Sequence, residues 1–438
     1  MGAEWRSIPA ESFCASVRDG THDSPRPVDH GRLLVTSRHI TGNHLDLASA
    51  YQISQEDFDA INKRSKVDQW DVLVSMIGTV GEPCLIRQPP NFAIKNIGLF
   101  KSKGETEGKW LYYYLLSPDA QRVLREQSRG TTQQYIPLGA LREFPVPVPD
   151  DHDEMRAIVH ILSTLDDKIA LNRRMNETLD AIARALFQSW FVDFDPVRAN
   201  AEGHHAGPPK TFANLFPDSF EDSDLGEIPK GWKVTTIGGV CEVIDCLHSR
   251  KPERRESGRP LLQLSNIRDD GLIDMTDTYS IGDSDYKQWV SRMEASPGDC
   301  VITNVGRVGA VAQIPTGTTA ALGRNMTGVR CRASFPHLTF LIECLLSKSM
   351  AEEIVLRVDS GTILDALNVR SIPKLRFVKP AGRLLEQFES LARPIRKHME
   401  NGLAEARSLA ALRDALLPKL ISGELRVGQA GPLTGEPT

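Results

Sequence analysis

The chain repeats itself, and no other feature constrains its fold as much. Trp5 matches Trp232 at an offset of 227. At the same offset Gly31-Arg32-Leu33-Leu34 matches Gly258-Arg259-Pro260-Leu261, and Ile40 matches Ile267. At 228, Tyr51-x-Ile53 meets Tyr279-x-Ile281, Phe58 meets Tyr286, Asp71 meets Asp299, and Gly78 and Gly81 meet Gly306 and Gly309. Leu115-Leu116-Ser117 meets Leu345-Leu346-Ser347 at 230, and Pro149 meets Pro380 at 231. An offset that drifts steadily in one direction is what small loop insertions produce, so the pattern reads as a tandem duplication. The copies span 1–150 and 232–380. Each mixes short β-rich runs, such as Val72 to Ile77 and Cys300 to Val305, with helical stretches near 109–127 and 337–357. The fold class expected is α/β (α+β), two domains in tandem.

The segment after each copy is of another kind. From 155 to 191 there is no Gly or Pro, and Ile158, Leu162, Leu165, Ile169, Leu179, Ala183, Leu186 and Trp190 form one heptad seam with Asn172 and Asn176 at its centre. A second seam from 384 to 422 reads Phe388, Leu391, Ile395, His398, Gly402, Glu405, Leu409, Leu412 and Leu416. Both seams are apolar at the ends and polar in the middle, so an antiparallel coiled coil of two long helices is expected. Central polar positions of this kind fix register at a cost in stability. The helical regions are placed at 151–195 and 381–427, a linker rich in Pro and Gly at 196–231, and a disordered tail at 428–438.

Two related heads joined to a pair of helices suggest a ruler. A helix of about 35 residues is ~50 Å long, against ~34 Å for one turn of DNA. Two such heads suit successive major grooves of one duplex, each reading a different half-site. The net charge of −5 argues against a uniformly basic surface, but the charge is segregated, with Lys63, Arg64 and Lys66 in one cluster and Arg250, Lys251, Arg254 and Arg255 in another. Side chains suited to base edges or phosphates are Thr21, His22, Arg38, Lys95, Asn96, Thr132, Gln133, Gln134 and Tyr135 in the first copy. In the second they are His248, Arg250, Lys251, Arg254, Asn266, Asn304, Arg307, Asn325 and Thr362. His22 and His248 each stand three residues after an Asp, and Asn96 is opposite Asn325. Each of these residues also has a plain reading as solvated surface. Positions that differ between the copies are the better candidates for specificity.

Catalytic signatures are missing. There is no Walker pattern, no HExxH and no Gly-x-Ser-x-Gly. Gly78-x-x-Gly81 and Gly306-x-x-Gly309 read as tight turns rather than phosphate cradles. Seven cysteines are scattered, and Cys241 with Cys246 lacks the second pair of a zinc site. No catalytic residue, no metal site and no cofactor is expected on this chain. Neither an apolar run long enough to span a membrane nor a secretory leader is seen, so a cytoplasmic location is expected.

The helical segments carry a family resemblance. LSTLDDKIALN from Leu162 to Asn172 and LFQSWFVDFDPV from Leu186 to Val197 resemble the central conserved region of the specificity subunits of Type I restriction–modification systems. LRDALLPKLISGEL from Leu412 to Leu425 resembles their C-terminal conserved region, and GEIPKGW from Gly226 to Trp232 the lead into a second target-recognition domain. The first copy has no such lead. The resemblance implies that each domain reads one half of a bipartite site in double-stranded DNA. It further implies that the helices set the gap and dock two methylation (M) subunits, and that restriction (R) motor–nuclease subunits complete the complex. S-adenosylmethionine, ATP and Mg would then sit on those partners. Phe187, Trp190, Phe191 and Phe194 have two readings here, a docking surface for a methylation subunit or a plug against the neighbouring domain.

Overall fold

The computed structural model describes residues 5–130, 134–203, 212, 214–359 and 365–427; the tail expected over 428–438 lies outside them. Packing divides the chain into two compact units, Met1–Lys168 with Ser408–Thr438, and Ile169–Arg407. The divisions fall inside the two long helices, His152–Phe191 and Gly382–Ile421, rather than at the ends of the duplicated copies.

In the first unit the strands Ser16–Asp19, Ile97–Lys101, Val72–Ser75 and Pro83–Leu85 lie side by side, in that order, all antiparallel. Every residue of Val72–Ser75 is buried, because the sheet is covered on both faces. Val72 and Val74 point into a core with Trp110 and Tyr113, while Leu73 points into another with Ile94 and Leu99. Alternation along a strand assigns neighbouring residues to opposite faces. Burying one such side chain contributes roughly 1.5–3 kcal/mol. A second sheet orders Tyr51–Ile53, Arg32–Thr36 and Phe92–Lys95, the last pair parallel. The first strand, Arg6–Pro9, closes the unit by pairing with the last, Pro145–Val148. The helices Glu105–Leu116 and Pro118–Gln127 are separated at Ser117, whose hydroxyl caps the second by accepting from the Ala120 amide, with Pro118 at the first helical position.

The second unit repeats this strand for strand. Cys241–Asp245, Met326–Cys331, Cys300–Thr303 and Val311–Gln313 form its four-stranded sheet, Tyr279–Ile281, Arg259–Leu262 and Ala321–Leu322 its three-stranded one, and Lys233–Thr236 pairs with Arg376–Lys379. Leu338–Leu346 and Lys348–Val355 break at Ser347, which caps through the Met350 amide. The duplication legible in the residue offsets is therefore a duplication of topology.

Within each unit the two long helices pack antiparallel. In the first, Ile158 and Leu162 share a core with Leu417, Leu420 and Ile421, and Asp166 accepts from Arg413 Nη1 at 2.7 Å. There the Trp5 ring lies against Gly423, where a Cβ would come within 2.8 Å of it, and under the Arg426 guanidinium, 5.5 Å from the ring centre. In the second, Asn172 Nδ2 donates to Glu405 and Asn176 Nδ2 to the Met399 carbonyl at 2.9 Å. Gly402 faces Asn176 so closely that a Cβ would lie 2.7 Å from Oδ1.

The seam expected along the first long helix agrees with burial at Ile169, Asn172 and Asn176, with Leu165 and Leu179 partly covered. Along the second, Phe388 is buried and Leu391, Ile395, Leu409 and Leu416 are partly covered, but Leu412 is 48% exposed, His398 faces outward, and Glu405 is largely exposed while its carboxylate reaches Asn172. Ala392, Met399 and Ala406, each one residue further on than expected, are buried in their place. The 196–231 segment, expected as a linker, carries a helix at Asp195–Ala201 and a hairpin of Phe220–Ser223 with Gly226–Pro229. Val197, Phe216 and Ile228 anchor it. Among the described residues no helix is long and apolar enough to cross a membrane.

Candidate nucleic-acid interface

One edge of each unit collects polar side chains at repeat-equivalent places. In the first unit the strand Ser16–Asp19 ends on Asp19, which is nearly buried and takes an ion pair from Arg64. The His22 ring, 64% exposed, is tethered at Nε2 to Asp19 (3.0 Å) and lies at Nδ1 2.8 Å from Asn96 Oδ1. Asn96 holds a left-handed φ of 54°, and its amide donates to the Thr21 carbonyl. Asparagine tolerates that conformation better than most residues, so it suits the turn between Phe92–Lys95 and Ile97–Lys101. Lys95 reaches the Ser24 hydroxyl, and Ser37 Oγ donates to the Asn96 carbonyl, which brings the exposed Arg38 alongside. Thr21, His22, Arg38, Lys95 and Asn96 therefore form one surface.

In the second unit Asp245 ends the matching strand, accepts from His248 Nε2 at 2.9 Å and lies 3.4 Å from Arg292 Nη1. Asn325, φ 65°, occupies the turn that Asn96 occupies in the first unit, and Arg324 precedes it as Lys95 precedes Asn96. Beside it opens a cavity of about 590 Å³, lined among others by Lys251, Arg254, Gln263, Ser265, Arg324 and Asn325. Its wall is Tyr279, whose ring carries the Lys251 ammonium 3.9 Å from its centre and the Arg254 guanidinium at 5.7 Å. The Tyr279 hydroxyl donates to the Pro252 carbonyl, which fixes the loop. Asp277, paired with Arg254, is the one carboxylate among the residues lining the cavity. Lys251, Arg254 and Asn325 thus gather here, with Arg250 exposed on the same loop and His248 held on Asp245 at the end of the strand.

Other expected contact residues have different work. Asn304 is 7% exposed and saturated, donating to the Leu367 carbonyl and accepting from Thr327 Oγ1. Asn266 is buried and caps a short 3-10 turn, with Oδ1 accepting from the Gln263 amide and Nδ2 donating to Asp274. Both amides are buried and bonded within the unit rather than presented at its surface. Arg307 is partly exposed but committed to the Ile267 carbonyl and Asp269, which ties the Gly306-x-x-Gly309 turn to its neighbour. All four glycines of the two Gly-x-x-Gly turns have positive φ, consistent with tight turns. Gln134 and Tyr135 are exposed on a separate loop, where Tyr135 bridges Arg129 and Ile77. Thr132, Gln133 and Thr362 lie outside the described residues. Trp190 and Phe191 are buried against Phe388 and Phe340, together with Phe187 and Trp232. They pack into the second unit's own core.

Sequence reading missed Arg324, Arg292 and Gln263. The first two were findable, since Lys95 and Arg64 occupy their places in the first copy. Asp245, Cys246 and His248 bring three donor atoms within 4.8 Å of one another. Burial pushes the Cys246 thiol above its ordinary value, which disfavours the thiolate a metal would need, and Gly20 stands in its place in the first unit.

Residues 35–181 match the family model described as Type I restriction modification DNA specificity domain. The chain is 27% identical over 367 residues to the Type I restriction enzyme MjaIX specificity subunit of Methanocaldococcus jannaschii, covering 81% of this chain and 78% of that one. It is 24% identical over 363 residues to the HindI specificity subunit of Haemophilus influenzae, covering 72% and 77%. Among solved structures it resembles the S subunit of a Type-I restriction-modification system from M. genitalium, with a TM-score of 0.58 over 95% of this chain and 96% of that one. At 14% identity that likeness is one of fold. With residues 35–181 matched and relatives spanning most of its length, the chain is similar to the specificity subunits of Type I restriction–modification systems.

Proposed function

We propose that this chain is the non-catalytic DNA-recognition subunit of its complex, each unit reading one half of a split sequence in the major groove of double-stranded DNA. The observation that carries this is the duplicated polar edge. Asp, His, Asn and a basic residue recur at matching places in two units of one topology, beside loops whose other side chains differ. Hydrogen-bonding side chains beside cations suit base edges and phosphates together. The paired helices act as the spacer that sets the gap between half-sites and as the dock for two methylation subunits. Restriction subunits join that assembly. S-adenosylmethionine, ATP and Mg belong to those partners, and the complex works in the cytoplasm.

Methylome sequencing of a host carrying this chain with its methylation subunit tests the reading. The expected result is a bipartite motif with a fixed gap, present only when both genes are. A continuous, ungapped motif, or S-adenosylmethionine binding by the purified chain alone, would overturn it.

A further inference from the structure

Two heads that read different half-sites need different base-reading side chains, yet both meet the same sugar–phosphate backbone. Residues kept alike in both units at the same edge are therefore suited to the backbone, and those that differ to the bases. The edge sorts itself in this way. Lys95-Asn96 in the first unit and Arg324-Asn325 in the second are a cation followed by a left-handed asparagine on the turn between equivalent strands. Behind each lies the same support, an arginine on an aspartate on a histidine: Arg64, Asp19 and His22, then Arg292, Asp245 and His248. The adjoining positions diverge, Thr36 against Gln263 and Arg38 against Ser265.

Charge pairing separates these cations from the arginines around them that are held by carboxylates, while Arg38, Arg250 and Lys251, with no ion pair among the described residues, share their unpaired state. Arg64, Arg254, Arg292 and Arg307 are each neutralised by an aspartate. Among the described residues, neither Lys95 nor Arg324 has a carboxylate partner; Lys95 contacts only the Ser24 hydroxyl.

We propose that Lys95 with Asn96, and Arg324 with Asn325, form a duplicated phosphate clamp that seats each unit on DNA regardless of sequence, while Thr36, Arg38, Gln263 and Ser265 face the bases. This rests on the recognition reading above. In the first unit the Asp19–His22 pair is a positioning pair, since His22 Nδ1 lies 2.8 Å from Asn96 Oδ1 and holds the asparagine turn.

The test selects duplexes from a randomised pool with the full chain, then measures the salt dependence of binding to the selected duplex. For Lys95→Gln and Arg324→Gln the wild-type motif should be recovered unchanged. Affinity should fall by the same factor for every duplex tested, and the slope of log affinity against log salt should shrink by about one per variant and about two for the pair. Arg38→Ser and Gln263→Thr should instead alter the bases selected in one half each. A changed motif in either glutamine variant, or an undiminished salt slope, would overturn the clamp while leaving the recognition reading intact. If the wild-type chain enriches no sequence, the recognition reading falls and takes the clamp with it.

Discussion

Glu343 is buried in the second unit with neither carboxylate oxygen hydrogen-bonded, and its nearest cation, Arg396 Nη1, is 3.5 Å away. Arg396 donates instead to the carbonyls of Asp270 and Gly271. Burial raises the carboxyl above its ordinary range, Arg396 and Arg184 oppose the shift, and Asp180 adds to it. A carboxyl raised in the folded state costs nothing while protonated in both states. It destabilises the fold once pH climbs through the ordinary carboxylate range and beyond. Glu343→Gln should therefore melt with the wild type at acid pH and above it at pH 8, by an amount equivalent to about 1–3 kcal/mol. Equal melting at both pH values would refute the assignment. The same scale shows what a sequence hides. Asn266 and Asn304 have the donors that adenine needs, but their bonds are already spent on a turn and on the core. His22, Asn96, His248 and Asn325 were legible because the repeat set them side by side. Donor chemistry is visible in a residue type, whereas whether the donor is free depends on its neighbours in space.

Among elements, the C-terminal helix teaches most. Its seam alternates between Phe388, Ile395, Gly402, Leu409 and Leu416 on one row and Ala392, Met399, Ala406 and Arg413 on the other. The first row was read from the sequence. The second was displaced by one residue onto Leu391, His398, Glu405 and Leu412, because two of its true members are alanines and one is an arginine that bonds Asp166. Small residues mark close approach of two helices but contribute little to an apolar pattern. Met399→Ala should accordingly cost about 2–5 kcal/mol, as a buried truncation does. Leu412→Ala, on an exposed face, should stay within about 0.5 kcal/mol. Urea midpoints of the two variants decide between the frames, and a larger loss at Leu412 would restore the displaced one. The single helical stretches expected near 109–127 and 337–357 are each broken in two, at Ser117 and Ser347, whose N-caps a reading by periodicity alone passes over.

For the whole molecule, the duplication was the feature best written in the sequence, because a repeat needs no physics to detect. The 196–231 segment was the least legible. Its Pro and Gly content suggested a linker, while its few anchors, Val197, Phe216 and Ile228, are too widely spaced to form a periodic signal. Each head opens and closes on one strand pair, Arg6–Pro9 with Pro145–Val148 and Lys233–Thr236 with Arg376–Lys379. Exchanging 232–380 for the corresponding segment of a relative should therefore change one half of the motif returned by methylome sequencing and leave the other half untouched. Alteration of both halves would show that the heads do not read independently. The contact of Trp5 with Gly423 and Arg426 lies wholly within the first unit and carries a consequence for engineering. A gene opened ahead of Trp232, with residue 427 stitched to residue 5 by a short linker, should keep every contact of that unit while reversing the order in which the two heads are written.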